Sequence, residues 1–431
     1  MAPDGRLSVT NRAVSEFVDI AGNQPWRLPC SLVALTSGIL ALLCPRPLRA
    51  QPIIDLPDAS PSTDTTLPSV APAAPAPVAT LSTHATSEVL TAQVGTRVAL
   101  RAQNPRSPDK VDDLGLEGEA DVVFWGQINP FLKWQAGFIG ALGPQTAATS
   151  AALLDLLAKL DFAESFNLWL GRMPIPSDRA SLSTVWAIAP WTLPGTYSVF
   201  APFATGTTRR PAPGPRRGDN DRGDGATLWG QIAGGTFKYY LGVFGLGQPE
   251  TSPLYSARLA VSLLGSEPGF RTSSSNFGSK DILALGVGVQ HRAGDSLPPS
   301  GVAAPASDFD ELNADLFFEK GSSAAGVLDL ECSFAKLWGD NELTSYQLFA
   351  LASYLMPVEI GIGKLQPLVR IQHAGKGQAS DAGDFTSVDA QLGYIVDGFH
   401  ARLLGVYQYA KVQGRAENAI LLGVQLMSHA K

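Results

Sequence analysis

"KLQPLVRIQ", residues 364–372, alternates. Lys364, Gln366, Arg370 and Gln372 fall on one parity, and Leu365, Pro367, Val369 and Ile371 on the other. Successive side chains of a β-strand point to opposite faces, so this strand would be polar on one side and apolar on the other. A soluble sheet turns its apolar face to a protein core. A membrane barrel turns that face to lipid and encloses the polar one.

The pattern recurs from about residue 115 onward. "LNADLFFEK" sets Asn313, Asp315 and Glu319 against Leu312, Ala314, Leu316 and Phe318. "VLDLECSFAK" sets Asp329, Glu331 and Ser333 against Leu328, Leu330, Cys332 and Phe334. "GSSAAG" between them reads as a hairpin turn. In "DILALGVGVQHR", Leu283, Leu285, Val287 and Val289 share one parity; the other holds small residues, then Gln290 and Arg292. "VDAQLGYIV" and "FHARLLGVYQYAK" flank Asp397-Gly398, a strong turn signal. About fourteen to sixteen such strands fit between roughly 95 and 427, at the spacing expected of membrane barrel strands of roughly 9–11 residues plus connections. The connections at 129–131, 163–165 and 397–398 read as short, and those at 174–225, 265–279 and 293–307 as long. Short turns on one rim and long loops on the other is the outer-membrane arrangement. Trp134, Phe162, Tyr239, Tyr394, Tyr407 and Tyr409 recur near strand ends, as an aromatic girdle requires. The fold class expected is therefore all-β: a transmembrane antiparallel barrel of about 14–16 strands. A soluble sandwich or propeller is the competing architecture, and the chain shows no blade repeat.

The bulk numbers agree. The 431 residues include 43 Gly and 32 Pro, only 16% are charged, and the net charge is −7. That balance argues against a nucleic-acid partner. Outside the N-terminus no run of about 18 apolar residues offers a spanning helix.

Residues 1–50 read as a secretory signal: Arg27 precedes an apolar run from Leu32 to Leu43, and Leu48-Arg49-Ala50 suits cleavage. The polar residues 1–26 ahead of it read as a spurious extension from an upstream start codon. Residues 51–95, with "PSVAPAAPAPVATLST", lack the apolar content to order themselves and read as a flexible linker. The barrel is then expected over 96–431.

Several stretches resemble the phosphate-selective (O/P-type) porin family: "FNLWLGRMPIPSDR" (166–179), "FKYYLGVFG" (237–245), "LYSARLAVSLLG" (254–265), "GSKDILALGVGVQHR" (278–292), "YLMPVEIGIGKLQPLVRIQ" (354–372) and "GYIVDGFHARLLGVYQYAK" (393–411). Their order along about 300 residues carries the resemblance. It implies a sixteen-stranded outer-membrane barrel, commonly a homotrimer, that passes small hydrophilic solutes or ions, anions such as phosphate among them. The chain departs from the family in ending on "SHAK" rather than an aromatic residue.

With the polar parity inward, Arg172, Lys238, Arg258, Lys280, Arg292, Lys364, Arg370, Arg402, Asp315, Asp329, Glu331 and Asp389 become the candidate pore-lining residues. Acids dominate 311–331 and bases dominate 238–292 and 364–402, which favours general diffusion over phosphate selectivity. Arg172, Arg258 and Arg370 are the favoured solute contacts. "TTRRPAPGPRRGDNDRGDG" (207–225) carries five arginines and reads either as a solvated outer loop or as a basic constriction. Its RGD tripeptide at 222–224 reads as chance.

Enzyme chemistry leaves no trace. There is no G-x-S-x-G, no H-E-x-x-H and no dinucleotide fingerprint; "GIGK" (361–364) lacks the rest of a phosphate loop. Three cysteines (Cys30, Cys44, Cys332) and five scattered histidines form no metal pattern. No cofactor is implied. The expected partners are small hydrophilic solutes or ions and outer-membrane lipid. The alternative is a plugged structural or adhesive barrel without transport.

Overall fold

The computed structural model describes residues 90–104, 113–142, 150–193, 222–245, 252–296, 307–322, 324–339, 344–376, 384–412 and 415–429. The stretches read as signal and linker up to residue 89, and the arginines at 209–217, lie outside them.

Sixteen long strands and one two-residue bridge follow one another in chain order. The first eight are β1 (Thr91–Asn104), β2 (Asp113–Asn129), β3 (Leu132–Leu142), β4 (Ser150–Ala163), β5 (Phe166–Pro174), β6 (Arg222–Ile232), β7 (Phe237–Phe244) and β8 (Leu254–Leu264). They are followed by β9 (Ile282–Ser296), β10 (Ser307–Ser322), β11 (Gly326–Trp338) and β12 (Thr344–Leu355). After the bridge β13 (Glu359–Ile360) come β14 (Gly363–Lys376), β15 (Phe385–Asp397), β16 (Ala401–Val412) and β17 (Arg415–Met427). Each long strand pairs antiparallel with its sequence neighbour, and β1 pairs with both β2 and β17, so the sheet closes. The first strand starts at Thr91, inside the stretch read as linker.

Closure fixes which face of each strand meets lipid. Val369 is 51% exposed and Ile371 39%, whereas Arg370 is 1% exposed and Gln372 3%. The polar parity faces the barrel interior and the apolar parity faces outward. The same inversion holds in β1 for Val94, Val98 and Leu100 against Gln93, Arg97 and Arg101. In β17, Ile420, Leu422 and Val424 are exposed while Leu421 and Gln425 are buried. An outer surface of Leu, Val, Ile and Phe on a closed ladder is a membrane-spanning surface, because lipid leaves no partner for an unpaired backbone group.

Aromatic residues ring both ends. At one rim Phe131 stacks on Phe162, which meets Phe166 at a tilt, and Tyr239, Tyr354 and Tyr394 donate to turn carbonyls of Ser165, Ala325 and Ile360. At the other, Phe334, Trp338 and Tyr407 are exposed. These are positions where an apolar ring meets lipid and a polar tip meets water.

Most connections at the Phe131 rim are short, and most at the opposite rim are longer, as the sequence suggested. One assignment changes. The connection 265–281 belongs to the short-turn rim, opposite the long connection 175–221.

The inverted parity makes a direct prediction. Val369→Arg should destabilise the membrane-inserted barrel by about 2–4 kcal/mol if the site lies near the bilayer midplane. Equilibrium unfolding in lipid vesicles measures this.

Candidate functional site

The barrel interior is crossed by residues 175–193, the described start of the β5–β6 connection. The segment leaves β5 and reaches the walls on the far side. Near its start, Ser177 O accepts from Arg258 of β8 at 2.8 Å, and Ser177 Oγ donates to Glu311 of β10 at 3.2 Å. Asp178 accepts from Ser333 of β11 at 3.1 Å. Farther along, Ala189 O accepts from Gln391 of β15 at 2.9 Å and from Arg402 of β16 at 3.0 Å. Arg97 of β1 donates to Trp191 O. Arg370 of β14 donates to Thr192 O and, at 2.7 Å, to Thr192 Oγ1. Several of the strap's backbone acceptors are therefore met by wall side chains, in place of the ladder bonds that an irregular segment lacks.

Wall residues are cut to fit it. A Cβ added at Gly95 would sit 2.9 Å from the Trp186 ring, and one at Gly423 would sit 2.7 Å from Trp191. Large apolar residues also stand on the inward parity wherever the strap is apolar. Phe349, Leu351 and Leu368 pack against Ala180 and Ala189, and Leu404, Val406 and Leu421 pack against Trp191.

A second segment, 265–281, enters from the short-turn rim and meets the strap. Arg179 grips Glu267 with two hydrogen bonds of 2.6 Å. Thr272 N donates to Leu182 O at 3.3 Å, and Ser274 N to Ala187 O at 3.1 Å. Phe270 is buried among Trp169, Trp229 and Tyr240 of β5–β7, stacked on Trp169 at 4.4 Å. Burial opposes the Glu267 charge, but the Arg179 guanidinium overrides it and holds the carboxyl down at about 2.

The candidate residues sort as follows. Lys238, Arg258, Arg292, Arg370, Arg402, Asp315, Asp329, Glu331 and Asp389 are buried on the inward parity of their strands. Lys364 shares that parity at the short-turn rim and is half-buried. Lys280 is not on a strand; it lies in 265–281 and donates to Ser266 O at 2.9 Å. Arg172 is set apart. The register puts it in the row of Leu156, which is 52% exposed on the outer face. Its own side chain is buried and pairs with Asp224 at 3.0 Å. Gly171 and Trp169, on the other parity, carry the inward face of β5.

Many interior charges are matched between strands of the wall. Arg370 and Asp389 stand directly opposite and bond at 2.7 Å. Arg97 and Glu119 are likewise opposite, at 3.2 Å, and Arg101 reaches Glu117 diagonally across the same two strands at 2.8 Å. Arg258 bonds Asp315 at 2.9 Å. Glu319 and Asp329 are opposite like charges; Gly278 N donates to Glu319 at 2.7 Å and Ser353 Oγ to Asp329 at 2.9 Å. The RGD tripeptide is not a loop: Arg222 opens β6 and bonds Asp155 at 2.7 Å, and Asp224 holds Arg172. Sequence reading missed Arg97, Arg101, Arg179, Glu267 and Phe270.

Two interior cavities bounded by strap and wall hold about 10 and 40 Å³. That is room for one to a few waters.

The fold has solved counterparts. A loop-deletion mutant of OmpT, an outer membrane protein of Vibrio cholerae, is 14% identical with a TM-score of 0.50, over 79% of this chain and 99% of that one. Pseudomonas putida OprB is 10% identical with a TM-score of 0.55, over 80% and 94%. Salmonella typhi OmpF, solved with daunomycin, is 10% identical with a TM-score of 0.53, over 79% and 97%. No protein-family model and no curated protein matches the chain. At these identities the likeness is one of fold. Fold and apolar belt together place the chain in the bacterial outer membrane.

Two outcomes test the site. Gly423→Val should push Trp191 out of place and expose the strap to protease while the barrel stays closed, as read by limited proteolysis beside heat-modifiable gel mobility. Lowering the pH from 7 to about 5 should leave the strap as protected as before. The stabilisation from Glu267 is complete above its ordinary value of 4.5 and drains away as pH falls from there through about 2.

Proposed function

We propose that the chain is an outer-membrane porin through which small hydrophilic solutes or ions diffuse passively. One observation carries this reading: the inward rows are polar and charged through the depth of a barrel whose outside is apolar. On this reading residues 1–50 are a secretory signal, the Pro/Ala/Thr-rich stretch is a linker, and the assembly is the homotrimer that the family resemblance implies. No step of bond chemistry is involved. Catalysis has no part in it.

The resemblance to phosphate-selective porins raises anion passage, and the charge geometry bears on it. Arg258 and Arg370 are each held by a carboxylate and by a strap carbonyl, and Arg402 by a strap carbonyl and Gln425. They form no continuous row of open cations. The acids of β10 and β11 stand on the same inner surface. Weak selectivity fits this arrangement better than a phosphate filter.

A plugged structural barrel is the second reading. The small cavities and the buried inward rows favour it. Planar-bilayer recording of the refolded protein under a tenfold KCl gradient separates the two. The porin reading expects stepwise openings with a small reversal potential. A heat-modifiable barrel that stays silent even when its inward segments are loosened contradicts it, and a strongly anion-favouring reversal potential contradicts the weak-selectivity part alone.

A further inference from the structure

We propose that the connection 265–281 is an internal stopper, inserted from the short-turn rim, and that Glu267 and Phe270 are the two anchors that hold it closed. The proposal rests on the porin reading, since a stopper implies a path to be stopped.

The placement of the segment is the first ground. Other connections on that rim close in a few residues, such as 130–131, 164–165 and 398–400. This one spends residues 265–281 going into the interior and back. Between β8 and β9 it forms no strand, and its contacts are loop, strap and side-chain contacts. Taking it out would break no rung of the barrel ladder.

The form of its anchors is the second ground. The Phe270 ring sits in a socket whose three aromatic walls, Trp169, Trp229 and Tyr240, all come from strands. The barrel builds the socket and the connection supplies the ring. Glu267 then ties the segment to the strap through the two terminal guanidinium nitrogens of Arg179, and that guanidinium lies 3.9 Å over the Phe317 ring of β10. Socket and ion pair are discrete contacts, made or broken as units. Such contacts support two defined states better than a graded deformation does.

What the segment blocks is the third ground. It meets Gln231 and Tyr240 on one wall and Glu319 on another, with the strap between. Two cavities between strap and wall are water-sized. A wider path past these two points needs one of the two inward segments to move. The strap is tied to walls on both sides of the interior; 265–281 is tied to the strap through Arg179, Leu182, Ala187 and Ala189 and to the walls through Asp155, Gln231, Tyr240 and Glu319.

The test is single-channel recording of the full chain and three variants, each checked for heat-modifiable mobility. Glu267→Gln and Phe270→Ala release the stopper. Ser183→Cys with Thr272→Cys, in a background with Cys30, Cys44 and Cys332 changed to Ser, is the reversible lock; the native hydroxyl oxygens are 3.1 Å apart, and thiol titration before and after oxidation reads whether the disulfide has formed. The expected result is a rise in mean current of roughly tenfold or more in the release variants. In the oxidised lock current should fall, and dithiothreitol should restore it. A silent wild type with conducting release variants supports the stopper and overturns free passage through the resting barrel. A conducting wild type whose current neither release nor lock alters overturns the stopper and leaves the porin standing. Silence from all of them, with folded barrels, overturns both.

Discussion

Hydrocarbon offers no hydrogen-bond partner, and that constraint governs the whole molecule. Each strand in the bilayer must have both edges paired, so β17 must return to β1. The rows from Gly95 opposite Met427 to Asn104 opposite Asn418 make that closure. Once the sheet is closed, the two-residue period of the strand assigns every side chain to lipid or to the interior. The outer parity is then Leu, Val, Ile and Phe, and the inner parity takes the charge.

The interior has a constraint of its own. A buried guanidinium or carboxylate needs a partner, since leaving one unmatched costs several kcal/mol. The register supplies many partners by setting Arg370 against Asp389 and Arg97 against Glu119. The strap supplies others by offering backbone carbonyls to Arg258, Arg97, Arg370 and Arg402. Polar wall and irregular strap thus satisfy one another. Counting inward arginines therefore says little about ion preference, because the same arginines hold the strap.

The strands were legible because alternation is a local signal. "KLQPLVRIQ", the hairpin at "GSSAAG" and the turn at Asp397-Gly398 all lie where the pattern puts them. The start of β1 was less legible, since Thr91 follows directly on Pro- and Thr-rich sequence. The inward segments were not legible as elements, for they have no period and are held by residues far away in the chain. Their traces are on the walls. Leu368 breaks the polar parity of its strand because Ala180 and Ala189 lie against it. The small inward residues of "DILALGVGVQHR" include Gly288, where a Cβ would meet Ser177 O at 2.6 Å. Glycines and large apolar residues on an otherwise polar parity mark where something fills the interior. Arg172 misled for a related reason: as a charge opening the long connection it suggested a solute contact, and only the register with Leu156 shows its row to be outer.

The central claim is a barrel with lipid outside and a strap-filled interior, and spin labels placed singly at residues 366–372 in reconstituted vesicles test it most directly. Accessibility to oxygen, which concentrates in lipid, should peak at 367, 369 and 371. Accessibility to a water-soluble nickel relaxant should stay low at 366, 368, 370 and 372, because the strap covers them. High nickel accessibility at those even positions would contradict the filled interior, and loss of the two-residue alternation would contradict the barrel itself.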